Sequence, residues 1–354
     1  LSNRKEAIQK IEKIRTSKVI CYLTGDKQPF ITQIGEDIIP ILLKHLELMG
    51  EQDNIDLLLY TRGGDMVVPI RIVKLIRTYC KKKFSILVPY RCHSAGTLIC
   101  LGANEIVMTK IAELTPVDPT TAHHAYIPKM QGMPLMNSPQ ADLPISVEDV
   151  RSYLMFAKEV LGAQEGQVVD LYSKMTSQSY PSNLHLHPLV LGNVYRVQQM
   201  IKKITQRLLA LHFDLKPDTE DHRIKKIIKE ITEDISVHNY PIYFDEAKDL
   251  GLNVIQETKN TEKLILDLFA IYSDTMKLNL PFNPLDELGE KDLVRENYYG
   301  AYLESEKALD VFNFTYEIKK PLPIMQPGVQ IPITGTGIPP MVNILKSQWE
   351  EIQT

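Results

Sequence analysis

Apolar residues recur along this chain at two spacings, and the changes between them mark its elements. Residues 2–15 are charged and polar with helical spacing. Ser17-Lys18-Val19-Ile20-Cys21-Tyr22-Leu23 follows as a β-type run, and Thr24 to Pro29 carries the Gly, Asp and Pro of a loop. From about Gln33 the residues Ile38, Ile39, Ile41, Leu42, Leu46 and Met49 recur every three or four positions, which predicts a helix. Ile55 to Tyr60 is a nearly continuous apolar run, the pattern of a parallel strand covered on both faces. Thr61-Arg62-Gly63-Gly64-Asp65 follows at once, and then a helix with Val68, Ile72, Leu75 and Ile76 on one side. Phe84 to Pro89 reads as a strand, Leu98 to Ala103 as a buried helix, and Glu105 to Met108 as a short strand. Repeated strand–turn–helix passages of this kind predict an α/β layered fold.

The texture then changes. Residues 115–147 are rich in Pro, Gly, Met and Thr, a long loop of the kind that usually carries function. Helices are predicted over 147–178, from about Leu191 to His212, over 219–235, and from Phe244 to Leu250 before Gly251. Asn253 to Ile255 leaves the last of these as a strand. Beyond 257 come another helix, a Pro-rich loop at 280–284, a β segment from Ala308 to Lys319, and a tail alternating Pro and Gly. This predicts one domain over 1–256 and a C-terminal extension over 257–354, with oligomer contacts as its expected use.

Composition narrows the classes. With 354 residues the chain is long enough to bury a full core, and 44% apolar against 24% charged residues is ordinary for a globular protein. A net charge of −4 argues against nucleic-acid binding driven by bulk positive charge. No apolar run approaches the ~18 residues of a membrane span. A membrane is therefore expected as a partner only if an anchor precedes Leu1. The four cysteines form no CxxC pair and have no zinc-like spacing, so free thiols and a cytoplasmic setting are expected.

Three local features bear on chemistry. Gly63-Gly64 directly after a strand lets the backbone turn sharply and leaves amide N–H groups unhindered, as a site for an oxyanion requires. GxGxxG is absent, so this is no dinucleotide loop. Ser94, in His93-Ser94-Ala95-Gly96-Thr97, sits between a strand and an apolar helix. Its plain reading is an N-cap. Its functional reading is a hydroxyl at a helix start, where the Ala95 N–H joins that of Gly64. GxSxG is missing, which excludes an α/β-hydrolase elbow. Asp118 stands between prolines in Thr115-Pro116-Val117-Asp118-Pro119, as an Asx-turn residue or as a catalytic acid.

Taken together, these segments resemble the Clp/crotonase superfold, and within it the serine dehydrogenase proteinase family, distantly related to the Clp proteolytic subunit and to signal peptide peptidase A. The resemblance rests on Leu57-Leu58-Leu59-Tyr60-Thr61-Arg62-Gly63-Gly64, on Ser94-Ala95-Gly96-Thr97-Leu98-Ile99 and on Ala112 to Pro119. His187-Pro188-Leu189 with Gly192 to Arg196, and Asp245 to Leu252, also match. It spans about residues 5–255 and implies a repeated β-β-α layered fold. It further implies a serine-type endopeptidase with Ser94 as nucleophile, Asp118 as orienting acid, and an oxyanion hole at Gly63, Gly64 and Ala95.

The base is open among nine histidines. His45 and His212 lie in long helices, and His93 points to packing. His238, just before the Phe244 helix, has the strongest positional argument. His187 comes next, and His123 and His124 in the long loop remain. A Ser–Lys dyad of the signal peptide peptidase type is weakened because Arg196 fills the lysine slot, and arginine stays protonated. Lys202 and Lys203 lie farther along that helix.

The expected function is therefore peptide hydrolysis without metal or organic cofactor, on peptide or protein substrates, by a homo-oligomer. Two alternatives are an inactive scaffold subunit and a crotonase-like acyl-CoA enzyme that uses the same two amides.

Overall fold

The computed structural model describes residues 2–117, 120–121, 145–146, 155–176, 188–216, 219–234, 240–320 and 340–352. Two compact units emerge, one from 1–114 with 243–354 and one from 115–242. The first begins with α1 (Ser2–Arg15), β1 (Lys18–Thr24), α2 (Ile38–Met49), β2 (Gln52–Tyr60), α3 (Val68–Tyr79) and β3 (Cys80–Val88). It continues with β4 (Arg91–Cys92), α4 (Ala95–Cys100), β5 (Glu105–Met108) and β6 (Glu113–Leu114). The second unit contains β7 (Thr120–Thr121), β8 (Ile145–Ser146), α5 (Glu165–Thr176), α6 (Pro188–His212) and α7 (His222–Lys229). The chain then returns to the first unit with α8 (Phe244–Asp249), β9 (Val254–Ile255), α9 (Lys259–Thr275), α10 (Pro284–Leu288), β10 (Leu293–Ser305), β11 (Leu309–Lys319) and β12 (Met341–Glu351).

The apolar runs of β1, β2, β3, β5 and β9 pair in parallel at the centre of an eight-stranded sheet, in the order β12-β11-β10-β1-β2-β3-β5-β9. Leu57, Leu58 and Leu59 of β2 are all buried, as a strand covered on both faces requires. Ile8 and Ile11 of α1 join Ile265, Leu268 and Tyr272 of α9 over Val19, Cys21, Leu23 and Leu58. Each such fully buried aliphatic side chain contributes about 1.5–3 kcal/mol.

After β2, β3 and β5 the chain crosses into a second layer. Thr61 bridges Cys92, and β4 pairs in parallel with β6. The passages β3–β4, followed by α4, and β5–β6 are thus successive strand–strand units, the α/β layered architecture that the sequence pattern predicts.

Residues 257–354 are built differently from the expected extension. β10 pairs antiparallel with β1, and β11 and β12 add beyond it. α9 lies on α1 within the main core. The segment therefore completes the first unit, whose boundary with the second falls at 114/115 and 242/243 instead of 256/257. The buried half of β10 hides this in the sequence because it includes a charge. Glu304 is 3% exposed, where Arg4 Nε donates to it at 2.7 Å and the Tyr272 hydroxyl at 2.7 Å.

α2 starts at Ile38 and not near Gln33, because Ile34 is extended and bridged to Gly64. His45 of α2 is fully enclosed, with Nδ1 2.9 Å from Ser305 Oγ and Nε2 2.9 Å from Asp310 Oδ2. These are the residue types of a catalytic triad, but the enclosed imidazole ties α2 to the β10–β11 turn and has the structural role that its helix position predicts.

In the second unit, Ile201, Leu208 and Leu209 of α6 and Ile224 and Ile227 of α7 are buried. Asp221 caps α7 by accepting from the N–H groups of Arg223 and Ile224.

Candidate active site

The site is assembled where β2 and β3 pass into the second layer. The Thr61 N–H donates to Arg91 O at 3.0 Å, and the His93 N–H donates to Thr61 O at 3.0 Å. This parallel register runs on, so that Gly63 comes to lie beside Ser94. A Cβ placed on Gly63 would stand 3.0 Å from Ser94 Cβ and 3.4 Å from Ser94 Oγ. Glycine at 63 is what allows the serine so close.

Gly64 is fixed from its other side. Ile34 N–H donates to Gly63 O at 2.9 Å and Asp65 N–H to Ile34 O at 2.9 Å. Gly64 has φ +150°, and a Cβ on it would stand only 2.2 Å from Ile34 O, so the position excludes every residue with a side chain. In this parallel bridge the Gly64 N–H faces away from Ile34. The Gly63 N–H, in contrast, donates to Thr61 Oγ1 at 3.0 Å, and Thr24 Oγ1 donates to the same oxygen at 2.7 Å. Gly63 therefore supplies close approach, and its own amide is already engaged.

Ser94 stands at the start of α4 with φ 52° and ψ −110°, a sparsely populated positive-φ conformation that costs a non-glycine residue of order 1–3 kcal/mol. Its side chain makes no capping hydrogen bond, so the N-cap reading does not explain the residue. The hydroxyl, on a residue 4% exposed, lies 3.8 Å from Met66 Sδ, a weak acceptor. Ala95 opens α4, where the first N–H groups lack intrahelical partners. Among the described residues, no acceptor meets the Ala95 or the Gly64 N–H. Thr61, Ile34 and Met66 complete this environment, and none carries a motif that would single it out in the sequence.

His93 adjoins Ser94 but is committed elsewhere, with Nε2 2.9 Å from Glu113 Oε1. Burial pulls its imidazole below the ordinary value, and Glu113 opposes that shift without cancelling it. The ring links β4 to β6, a packing role as expected. Beneath α4, Cys92 Sγ and Cys100 Sγ are 3.5 Å apart, and all four cysteines are free. Among the described residues, no helix is long and apolar enough to cross a membrane.

The structure thus brings Ser94, Gly63, Gly64 and Ala95 together. Asp118, His187 and His238 lie outside the described residues, as do His123 and His124. Lys202 and Lys203 are on α6 of the second unit.

The strand-end glycine pair thus lies beside a positive-φ serine that opens a helix. Residues 1–130, which hold that geometry, match the family of ClpP-like SDH-type serine proteinases, in line with the resemblance carried by the glycine and serine blocks. Two proteins of Methanocaldococcus jannaschii are similar over longer stretches. The uncharacterized protein MJ1495 is 24% identical over 284 residues, covering 78% of each chain. The uncharacterized protein MJ0137 is 24% identical over 236 residues, covering 67% of this chain and 64% of that protein. Among solved structures, ClpP1 from Listeria monocytogenes aligns with 14% identity and a TM-score of 0.34, over 71% of this chain and 98% of that one.

Proposed function

We propose that this chain is a serine peptidase with Ser94 as its nucleophile. The observation that carries the reading is the strained, uncapped Ser94 next to Gly63, with the Gly64 and Ala95 N–H groups left for a ligand. Ser94 Oγ attacks the scissile carbonyl carbon while a histidine takes its proton. The two amides stabilise the oxyanion as its charge develops. The C–N bond then breaks, the histidine delivers its proton to the leaving amine, and water hydrolyses the Ser94 ester by the same route. Asp118 orients the imidazole and His238 is the base, with His187 second. The substrate is a peptide or unfolded segment, and the enzyme works as a cytoplasmic homo-oligomer without metal or organic cofactor.

The base is tested by labelling the protein with a fluorophosphonate, which needs an activated serine. His238→Ala is expected to abolish labelling, and His187→Ala to leave it near the native level. The reverse outcome moves the base to His187. Labelling retained in both variants excludes both histidines.

A further inference from the structure

A cavity of about 510 Å³ lies in the first unit, with Ser94 not among its lining residues, and it is within the ~300–1,000 Å³ range of small-ligand sites. It is lined by Ile31, Thr32, Gln33 and Asp37 from the chain around the start of α2, and by Phe312, Phe314 and Trp349 of the sheet. The rings are held against one another, Phe312 to Trp349 at 5.6 Å and 83°, and Phe312 to Phe314 at 5.2 Å and 66°. Gly300 permits this packing, since a Cβ there would lie 2.5 Å from Phe314 and 2.8 Å from the Thr32 methyl.

The charge at the mouth is one-sided. Trp349 Nε1 donates to Asp37 Oδ2 at 2.9 Å, which fixes the carboxylate beside the indole. The neighbouring Glu36 is neutralised by Arg71 at 2.7 Å, and Lys346 is engaged by Glu350 at 2.9 Å. Among the described residues, no cation pairs with Asp37. Aromatic faces attract a cation through their quadrupoles, and a carboxylate beside them supplies the countercharge. An uncharged apolar ligand would leave that carboxylate without a countercharge, and an anion would be repelled by it.

We propose that this cavity binds an organic cation, the guanidinium or ammonium side chain of a peptide, between the aromatic wall and Asp37. The claim stands apart from the peptidase reading, because neither Ser94 nor its neighbours line the cavity. Its placement has a consequence nonetheless, since the Ile31–Gln33 wall runs directly into Ile34, which holds the Gly63–Asp65 backbone.

Trp349 is the only tryptophan in the chain, so its emission reports on this cavity alone. The native protein titrated with N-acetyl-arginine amide is expected to show a saturable change in emission. N-acetyl-citrulline amide, nearly the same shape without the charge, is expected to bind at least about tenfold more weakly, and Asp37→Asn to weaken arginine amide binding by about the same factor, close to the full worth of a partly desolvated cation–π contact. An unchanged spectrum in the arginine amide titration overturns the proposal. So does equal binding of the citrulline compound to the native protein, a comparison that does not depend on how any variant folds. Undiminished arginine amide binding by a folded Asp37→Asn protein likewise removes the carboxylate and overturns the proposal.

Discussion

Ser94→Ala is expected to eliminate peptide hydrolysis and fluorophosphonate labelling while leaving the fold intact. Loss of the nucleophile from a triad that acts as a unit costs a factor on the order of 10⁶ in kcat. The hydroxyl makes no capping bond, and Ala95 to Cys100 are buried by their own packing, so the cost in stability should stay within about 1 kcal/mol. Hydrolysis assays on purified native and variant protein, with thermal melts alongside, check both halves. Hydrolysis at the native rate by a folded variant would remove Ser94 from the chemistry. Loss of hydrolysis together with loss of the fold would instead make the serine structural, against the geometry described above.

The largest stability effect is expected at Arg15, far from the serine. At the N-terminal edge of the parallel strands, Arg15 Nε donates to Asp56 Oδ2 at 2.5 Å and Nη2 donates to Glu105 at 3.0 Å, while Nη1 pairs with Glu257. Ser17 Oγ also donates to Asp56, at 2.6 Å, and Asp56 is fully buried. One guanidinium thus joins α1, β2, β5 and the approach to α9. Arg15→Met keeps the aliphatic stem but leaves a buried carboxylate without its cation, a loss of about 3–5 kcal/mol. Urea unfolding measures it, and a loss below about 1 kcal/mol would show that the network is dispensable.

The pH dependence follows from Glu105. Burial pushes its carboxyl up, but Lys83, Ser85 and Arg15 outweigh that and hold it below the ordinary carboxylate value. A depressed folded-state value contributes stability that is present above the unfolded-state value, near pH ~4.3, and lost as pH falls through the folded-state one. With Arg15 gone, the lowering weakens, so acid destabilisation of the variant should begin at a higher pH than in the native protein.

Much of this was legible in the sequence, and the failures have specific causes. β2 and β3 announce themselves because strands covered on both faces read as apolar runs. The glycine pair is legible because close backbone approach restricts those positions to glycine, and Ser94 because it stands between a strand and a small-residue helix start. Other parts depend on partners distant in sequence. Ile34 reads as the start of a helix until its bridge to Gly64 is known. β10 reads as polar because Glu304 is matched by Arg4, 300 residues away, and Asp310 of β11 by His45 and Lys44. β12 reads as tail because most of its residues are exposed, and its membership in the sheet comes from the register with β11. Those partners make 257–354 part of the first unit, and no local pattern within it could disclose them.

A crystal structure of the fluorophosphonate adduct tests whether the two amides converge on the Ser94 hydroxyl. The phosphorus is expected bonded to Ser94 Oγ, with a phosphoryl oxygen within about 3 Å of both the Gly64 and Ala95 nitrogens, the reach of an oxyanion-hole donor. A phosphoryl oxygen directed away from both amides, or an adduct on any other residue, would contradict that arrangement.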